Sequence, residues 1–301
     1  MPESAIEVRG LTKSYGSFTA VAGIDLRVEP GEVFAILGPN GAGKTTTVEI
    51  LEGYRRRDGG QVSVLGVDPG TDRKLLKPRV GIVLQKTGVS PYLTVAETIT
   101  MYAGYYAHPR PVGEIIELVG LAEKRNVRVA RLSGGQQRRL DVAVALAGDP
   151  ELLFLDEPTT GFDPAARREF WDVIKSLAAL GKTVLLTTHY MDEAQHLADR
   201  LAVVARGRVV AEGTPSTLGD RASSRATVTY RLPRDVEPPP GYARDGEFVS
   251  AQPEDLVTAV HDLTGWALHR GVQLEDLQVL RPSLEDVYLR LTADAGEEAR
   301  S

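Results

Sequence analysis

A chain of 301 residues, 42% hydrophobic and 25% charged, has room for about two globular domains with a sizeable core. Its formal net charge of −6 argues against nucleic acid as the main partner, and with no cysteine it has neither disulfides nor thiolate metal sites. No apolar run approaches the roughly 18 residues that span a bilayer, and MPESAIEVRG opens with Glu3 and no long apolar stretch, so no membrane crossing and no secretion signal are expected.

In chain order, IEVRGL (6–11) and IDLRVEPGEVFAIL (24–37) alternate as strands do, and VFAIL (33–37) is an apolar run between Gly31 and Gly38 that reads as a buried strand. The stretch GPNGAGKTT follows at 38–46, then the helix-compatible TTVEILEGY, whose exposed end carries Arg55, Arg56 and Arg57. QVSVLG (61–66) is another strand. From Thr94 to Gly148 the pattern is helical: Thr94 with Glu97 forms a capping-box sequence, and EIIELVGL (114–121) has the spacing of a short helix. Strands return at LLFLD (152–156), TVLLTTH (183–189) and RLAVVARGRVV (200–210), alternating with helical segments as a parallel sheet requires. TPSTLGDRASSRA (214–226) reads as a linker. Beyond it come strands at ATVTYRL and EFVSA, a helix at 254–270, a strand at 272–280 and a last helix capped at Ser283.

The stretch at 38–46 has every position that a phosphate-binding loop requires. Backbone N–H groups can close around phosphates only where side chains do not obstruct them, which Gly38, Gly41 and Gly43 allow, with Pro39, Asn40 and Ala42 between them. Lys44 places a charge on the β and γ phosphates, the Thr45 hydroxyl is the expected Mg²⁺ ligand, Thr46 follows, and a helix starting near Gly43 turns its positive end to the same anion. LLFLDEP (152–158) ends an apolar strand in two carboxylates: Asp156 is expected near Mg²⁺ and Glu157 near the water that attacks the γ-phosphate. LSGGQ (132–136) puts Ser133, Gly134, Gly135 and Gln136 at a helix start, which serves equally as an anion site or as a simple N-cap.

These motifs together resemble the nucleotide-binding subunit of ATP-binding-cassette (ABC) transporters. LSGGQ with a phosphate loop is specific to that superfamily, and the similarity covers about residues 5 to 215. The implied fold is α/β: a P-loop ABC ATPase domain over 1–218, with a β-subdomain, a RecA-like core and a helical subdomain at about 87–150. A C-terminal accessory α+β domain follows over 219–301, its last residues disordered, with dimer support ahead of regulation and stability as its role. The resemblance implies ATP and Mg²⁺ as cofactors and a head-to-tail homodimer or heterodimer, each ATP lying between one subunit's phosphate loop and the other's LSGGQ. By position, Tyr15 stacks on adenine, Gln85 joins Thr45 and Asp156 at Mg²⁺ and senses a transmembrane partner, Asp163 belongs to the dimer-contacting loop, and His189 touches the γ-phosphate. Phe162 stands where the family more often has leucine.

SPYLTVAET, TTGFDPAARR, TTHYMDEA and PSLEDVYLRLT narrow the resemblance to the ATPase subunits of ABC-2-type exporters, including the multidrug and antibiotic-resistance group. This implies a peripheral ATPase on the cytoplasmic side of the cell membrane, working with separate permease subunits to export drugs or other amphiphilic compounds. The alternative is a soluble ABC ATPase acting mechanically on nucleic acid or ribosomes, whose usual marks, a long coiled-coil insertion or two cassettes in one chain, do not occur here. A non-catalytic sensor would lack Glu157 or His189, and both are present.

Overall fold

The computed structural model describes residues 3–84, 88–220, 226–280 and 283–289. Gln85 and the last residues, 290–301, therefore lie outside the described residues. The chain divides into two compact units, the first ending at Pro215 and the second beginning at Ser216.

Strands of the first unit are β1 (Ile6–Tyr15), β2 (Phe18–Val28), β3 (Val33–Leu37), β4 (Gly59–Val64), β5 (Val80–Val83), β6 (Leu152–Asp156), β7 (Thr183–Thr188), β8 (Arg200–Ala205) and β9 (Arg208–Gly213). The helices are α1 (Lys44–Leu51), α2 (Arg73–Leu76), α3 (Val95–Ala103), α4 (Val112–Leu118), α5 (Gly134–Ala145), α6 (Pro164–Ala179) and α7 (Met191–Leu197). An antiparallel sheet runs β2-β1-β4, and a second sheet runs β5-β6-β7-β3-β8-β9, parallel except for the antiparallel β9. Every residue of β3, β6 and β7 is buried, which is why these strands read as apolar runs: both faces of a parallel sheet are covered. Their register pairs Leu37 with Thr188 and Asp156 with Thr187, so the carboxyl ends of the three strands, and the residues just beyond them, lie side by side.

Between β5 and β6 the chain is helical. Thr94 caps α3 in a full capping box with Glu97, and α3 packs on both α4 and α5. One expected strand, 200–210, is instead a hairpin. Arg206 (φ 50) and Gly207 (φ 75) form a two-residue turn of the kind that matches strand twist, and β9 folds back on β8.

The second unit is an α+β domain. Strands β10 (Thr227–Arg231), β11 (Ala243–Asp245), β12 (Phe248–Ala251) and β13 (Glu275–Leu280) form an antiparallel sheet in the order β11-β12-β10-β13. Helix α8 (Leu256–Arg270) starts at Asp255, whose side chain accepts from the Val257 and Thr258 N–H groups, and ends at the left-handed Gly271. A further helix, α9 (284–289), is capped at Ser283, whose hydroxyl accepts from the Asp286 N–H at 3.0 Å.

Candidate active site

The phosphate loop leaves β3 at Gly38 and enters α1 at Lys44. A Cβ at Gly38 would stand 2.3 Å from the Val204 carbonyl oxygen, and one at Gly43, where φ is 102°, would stand 2.3 Å from that of Ala20. Backbone, not a flexible side chain, sets both limits, so only glycine fits. The Lys44 ammonium is drawn into the loop and donates to the carbonyls of Gly38 (2.7 Å) and Pro39 (3.2 Å). Burial pushes its pKa down, opposed by the charge and hydrogen bond of Glu157. Ala42 and Lys44 are buried, Thr46 is half-buried, and Pro39, Asn40, Gly41 and Thr45 are exposed.

A cavity of about 450 Å³ opens over this loop, lined by Tyr15, Phe18, Asn40, Gly41, Lys44, Thr45, Thr46 and Glu157 among others. Tyr15 and Phe18 are opposite partners at the end of the β1–β2 hairpin. The Arg55 guanidinium lies 5.2 Å from the Tyr15 ring centre and the Lys13 ammonium 5.6 Å. Phe18, 58% exposed, is a wall residue that the sequence reading missed; an aromatic side chain directly after the Gly16–Ser17 turn was the available signal.

Asp156 ends β6, the next strand but one from β3, and Glu157 just beyond it lines this cavity. Asp156 is buried and accepts a 2.5 Å hydrogen bond from the Thr187 hydroxyl; burial pushes its pKa up, that hydrogen bond opposes the rise, and the adjacent Glu157 adds to it. Glu157 has left-handed backbone (φ 42), and its N–H donates to the carbonyl (3.2 Å) and hydroxyl (3.0 Å) of Thr187. Its carboxylate has the Lys44 ammonium 3.5 Å from Oε1 and His189 Nδ1 3.4 Å from Oε2, and Thr160 donates to Oε2 at 3.4 Å. The His189 ring packs against Tyr190 with centres 4.1 Å apart and planes tilted by 39°. Its Nδ1 lies off the hydrogen-bonding direction to Glu157 and is a buried polar atom without a hydrogen-bond partner among the described residues.

The structure thus brings Lys44, Asp156, Glu157 and His189 to one edge, with Tyr15 at the same cavity as the loop. Ser133, Gly134, Gly135, Gln136 and Asp163 do not line it. Ser133 caps α5 reciprocally with Gln136: its hydroxyl oxygen accepts from the Gln136 N–H at 3.3 Å, and Gln136 Oε1 accepts from the Ser133 N–H at 3.1 Å. The cap uses the hydroxyl as an acceptor and leaves its proton to donate elsewhere, so N-cap and anion site are compatible. Asp163 caps α6 by accepting from the Ala165 and Ala166 N–H groups at 2.9 Å each. Thr187 and Arg138 are the other residues missed. Arg138 stands four residues before the buried Val142 and seven before the buried Ala145, within an apolar stripe where a cation needs a reason.

Glycines that tolerate no Cβ, a buried carboxylate with one oxygen engaged, and an orphaned imidazole nitrogen together fit a nucleoside triphosphate and its cation. A phosphate loop between a buried parallel strand and a helix, with paired carboxylates on the next strand but one, defines a P-loop ATPase. Residues 21–160 match the family model "ABC transporter", and 226–283 match "ABC transporter domain-containing protein-like, C-terminal domain". The chain is 41% identical to the Nod factor export ATP-binding protein I of Paraburkholderia xenovorans (strain LB400), covering 97% of this chain and 98% of that protein. It is 38% identical to the daunorubicin/doxorubicin resistance ATP-binding protein DrrA of Streptomyces peucetius, covering 99% and 95%. Among solved structures, cbiO1 from Clostridium perfringens, part of the ABC transporter complex cbiONQ, matches with a TM-score of 0.65 at 28% identity over 71% of this chain and 90% of that one. The dimeric post-hydrolysis structure of the ATP-binding cassette MJ0796 with ADP and Pi matches with a TM-score of 0.61 at 26% identity, over 69% and 98%. The chain belongs to the ATP-binding subunits of ABC transporters, and its activity is ATP hydrolysis coupled to transport.

Proposed function

We propose that this chain hydrolyses Mg²⁺-ATP in a dimer to drive a separate membrane exporter of drugs or other amphiphilic compounds. The observation that carries the reading is the Glu157 carboxylate, held between the Lys44 ammonium at 3.5 Å and His189 at 3.4 Å on the wall of the phosphate-loop cavity. Lys44 and the loop amides stabilise phosphate charge, and Tyr15 offers its ring to adenine. Glu157 takes up proton density from the attacking water, and His189 offers its orphaned nitrogen to the γ-phosphate through ring rotation or the opposite tautomer. Thr45 and Asp156, with Gln85, would hold Mg²⁺, which supplies charge neutralisation on the phosphate oxygens. Ser133 lies outside the cavity of its own chain, which supports donation of its free hydroxyl proton to the ATP of a second copy, beside that copy's Asp163 loop.

Among the described residues no helix is long and apolar enough to cross a membrane, so the cargo path belongs to a partner. A cleft of about 500 Å³ lined by Glu52, Tyr54, Arg73, Tyr102, Tyr105 and Tyr106 among others supports permease docking, with Tyr105 left 78% exposed. The edge strand β13 has every residue exposed, Val279 and Leu280 included, which supports a dimer-contact role for the second unit. The exporter relatives support the direction of transport and the peripheral location on the cytoplasmic side. Expressed alone, the chain is expected in the supernatant; with its permease it should sediment with membranes and resist a salt wash better than a purely electrostatic contact. A chain that ignores every candidate permease, and whose ATPase rises with DNA, RNA or ribosomes, would replace export by mechanical work on nucleic acid.

A further inference from the structure

Glu157 sits in a conformation that a non-glycine residue does not adopt freely. Its φ of 42° places it in the left-handed region, a strain that persists only where the surroundings over-determine the backbone. One side chain binds the main chain on both sides of it. Arg138, 6% exposed on α5, donates from Nη2 to the carbonyl of Asp156 at 3.0 Å and from Nε to that of Pro158 at 3.0 Å. Its remaining nitrogen, Nη1, donates to the carbonyl of Leu84, the residue just past β5, and lies 3.7 Å from Asp141. The main chain is thus held on either side of Glu157, at the Asp156 and Pro158 carbonyls, by one planar guanidinium, whose fixed donor directions a lysine cannot reproduce. The same helix begins at the Ser133 cap, five residues earlier.

We propose that Arg138 is a positioning residue for ATP hydrolysis: it fixes the main chain around Glu157 and ties that carboxylate to the helix that begins with LSGGQ and to the end of β5. The proposal deepens the reading above and rests on Glu157 acting on the attacking water. Arg138 does not line the phosphate-loop cavity, so its effect on turnover runs through Glu157. Displacing a catalytic group by about 1 Å costs up to roughly 100-fold in rate, while phosphate binding through Lys44 does not depend on it.

The test is a double-mutant cycle on the full chain, with turnover at saturating Mg²⁺-ATP, equilibrium Mg²⁺-ATP binding and thermal melting as readouts. Arg138→Lys and Arg138→Gln should each lower turnover about 10- to 100-fold with nucleotide affinity within about threefold of wild type. In a Glu157→Gln background, either substitution should lower the residual turnover by no more than about twofold, because the group it positions is already gone. Full turnover in Glu157→Gln alone would sink the parent reading and leave the clamp without a function. If that variant is slow but the Arg138 loss multiplies undiminished in the double variant, or both Arg138 variants unfold, then Arg138 serves the fold generally and the inference fails.

Discussion

In the first unit the carboxyl ends of the parallel strands gather buried polar groups, Lys44, Asp156, Thr187 and Thr188, each at most 8% exposed and several within reach of one another. In the second unit the buried cluster is Val228, Tyr230, Leu232, Val249 and Leu263, and the Tyr230 hydroxyl has no hydrogen-bond partner among the described residues. Burial of polarity costs free energy wherever it occurs. At the first unit's edge hydrogen bonds offset much of that cost, Thr187 to Asp156 and Lys44 to the loop carbonyls, and the orphaned His189 Nδ1 there lies 3.4 Å from the Glu157 carboxylate. In the second unit the Tyr230 hydroxyl stands alone in an apolar cluster. Clustering, more than burial, therefore separates the working edge from the accessory core.

Substitutions along that edge should show the largest effects. Lys44→Ala removes the buried ammonium of the phosphate loop and is expected to weaken nucleotide binding about 10- to 100-fold and to abolish measurable turnover, seen by equilibrium binding and phosphate release. Ser133→Ala should leave ATP affinity of the monomer within about twofold while lowering dimer-dependent turnover roughly tenfold or more. Equal loss of monomer affinity in both variants would contradict the assignment of Ser133 to a second copy's site.

Glu52 measures what the edge costs in stability. It is 4% exposed, and burial, with Asp156 and Glu49 adding, pushes its pKa from 4.5 to about 8 against the pull of Arg73. A carboxyl whose folded pKa is raised opposes folding once the unfolded chain ionises. The penalty is absent below about pH 4.5, grows through the interval, and levels off above about pH 8. Glu52→Gln should then stabilise the protein by ~2–4 kcal/mol at pH 8 and by little at pH 4, read from denaturant unfolding. A pH-independent difference would show that Glu52 ionises normally. The smallest effect is expected in the second unit: Tyr230, whose hydroxyl pKa is pushed up to about 12 chiefly by burial, should gain up to about 1 kcal/mol on replacement by Phe, with ATPase unchanged. Destabilisation would mean that the hydroxyl has a partner after all.

The parts of this site legible in the sequence were those whose chemistry is carried by contiguous residues. Phosphate loop, LLFLDEP and LSGGQ each appear as one run, and the caps at Thr94, Ser133 and Ser283 follow a local rule that the structure obeys. What escaped depends on contacts distant in the chain. Thr187 bonds Asp156 across 31 positions, and Arg138 reaches Leu84 across 54; neither separation has a local signature. The turn at Arg206–Gly207 escaped for a different reason, since arginine rarely adopts positive φ and its presence does not announce a hairpin.

The central claim is that Glu157 acts on the water while the rest of the edge binds ATP. Its most direct measurement is Glu157→Gln, followed by nucleotide binding, steady-state phosphate release and sedimentation with Mg²⁺-ATP. The amide keeps the shape of the side chain and lacks the charge, so binding should be near wild type, turnover should fall at least about 100-fold, and the variant should accumulate as an ATP-bound dimer. Wild-type turnover in that variant would remove Glu157 from the mechanism and leave the carboxylate between Lys44 and His189 as a structural ion pair.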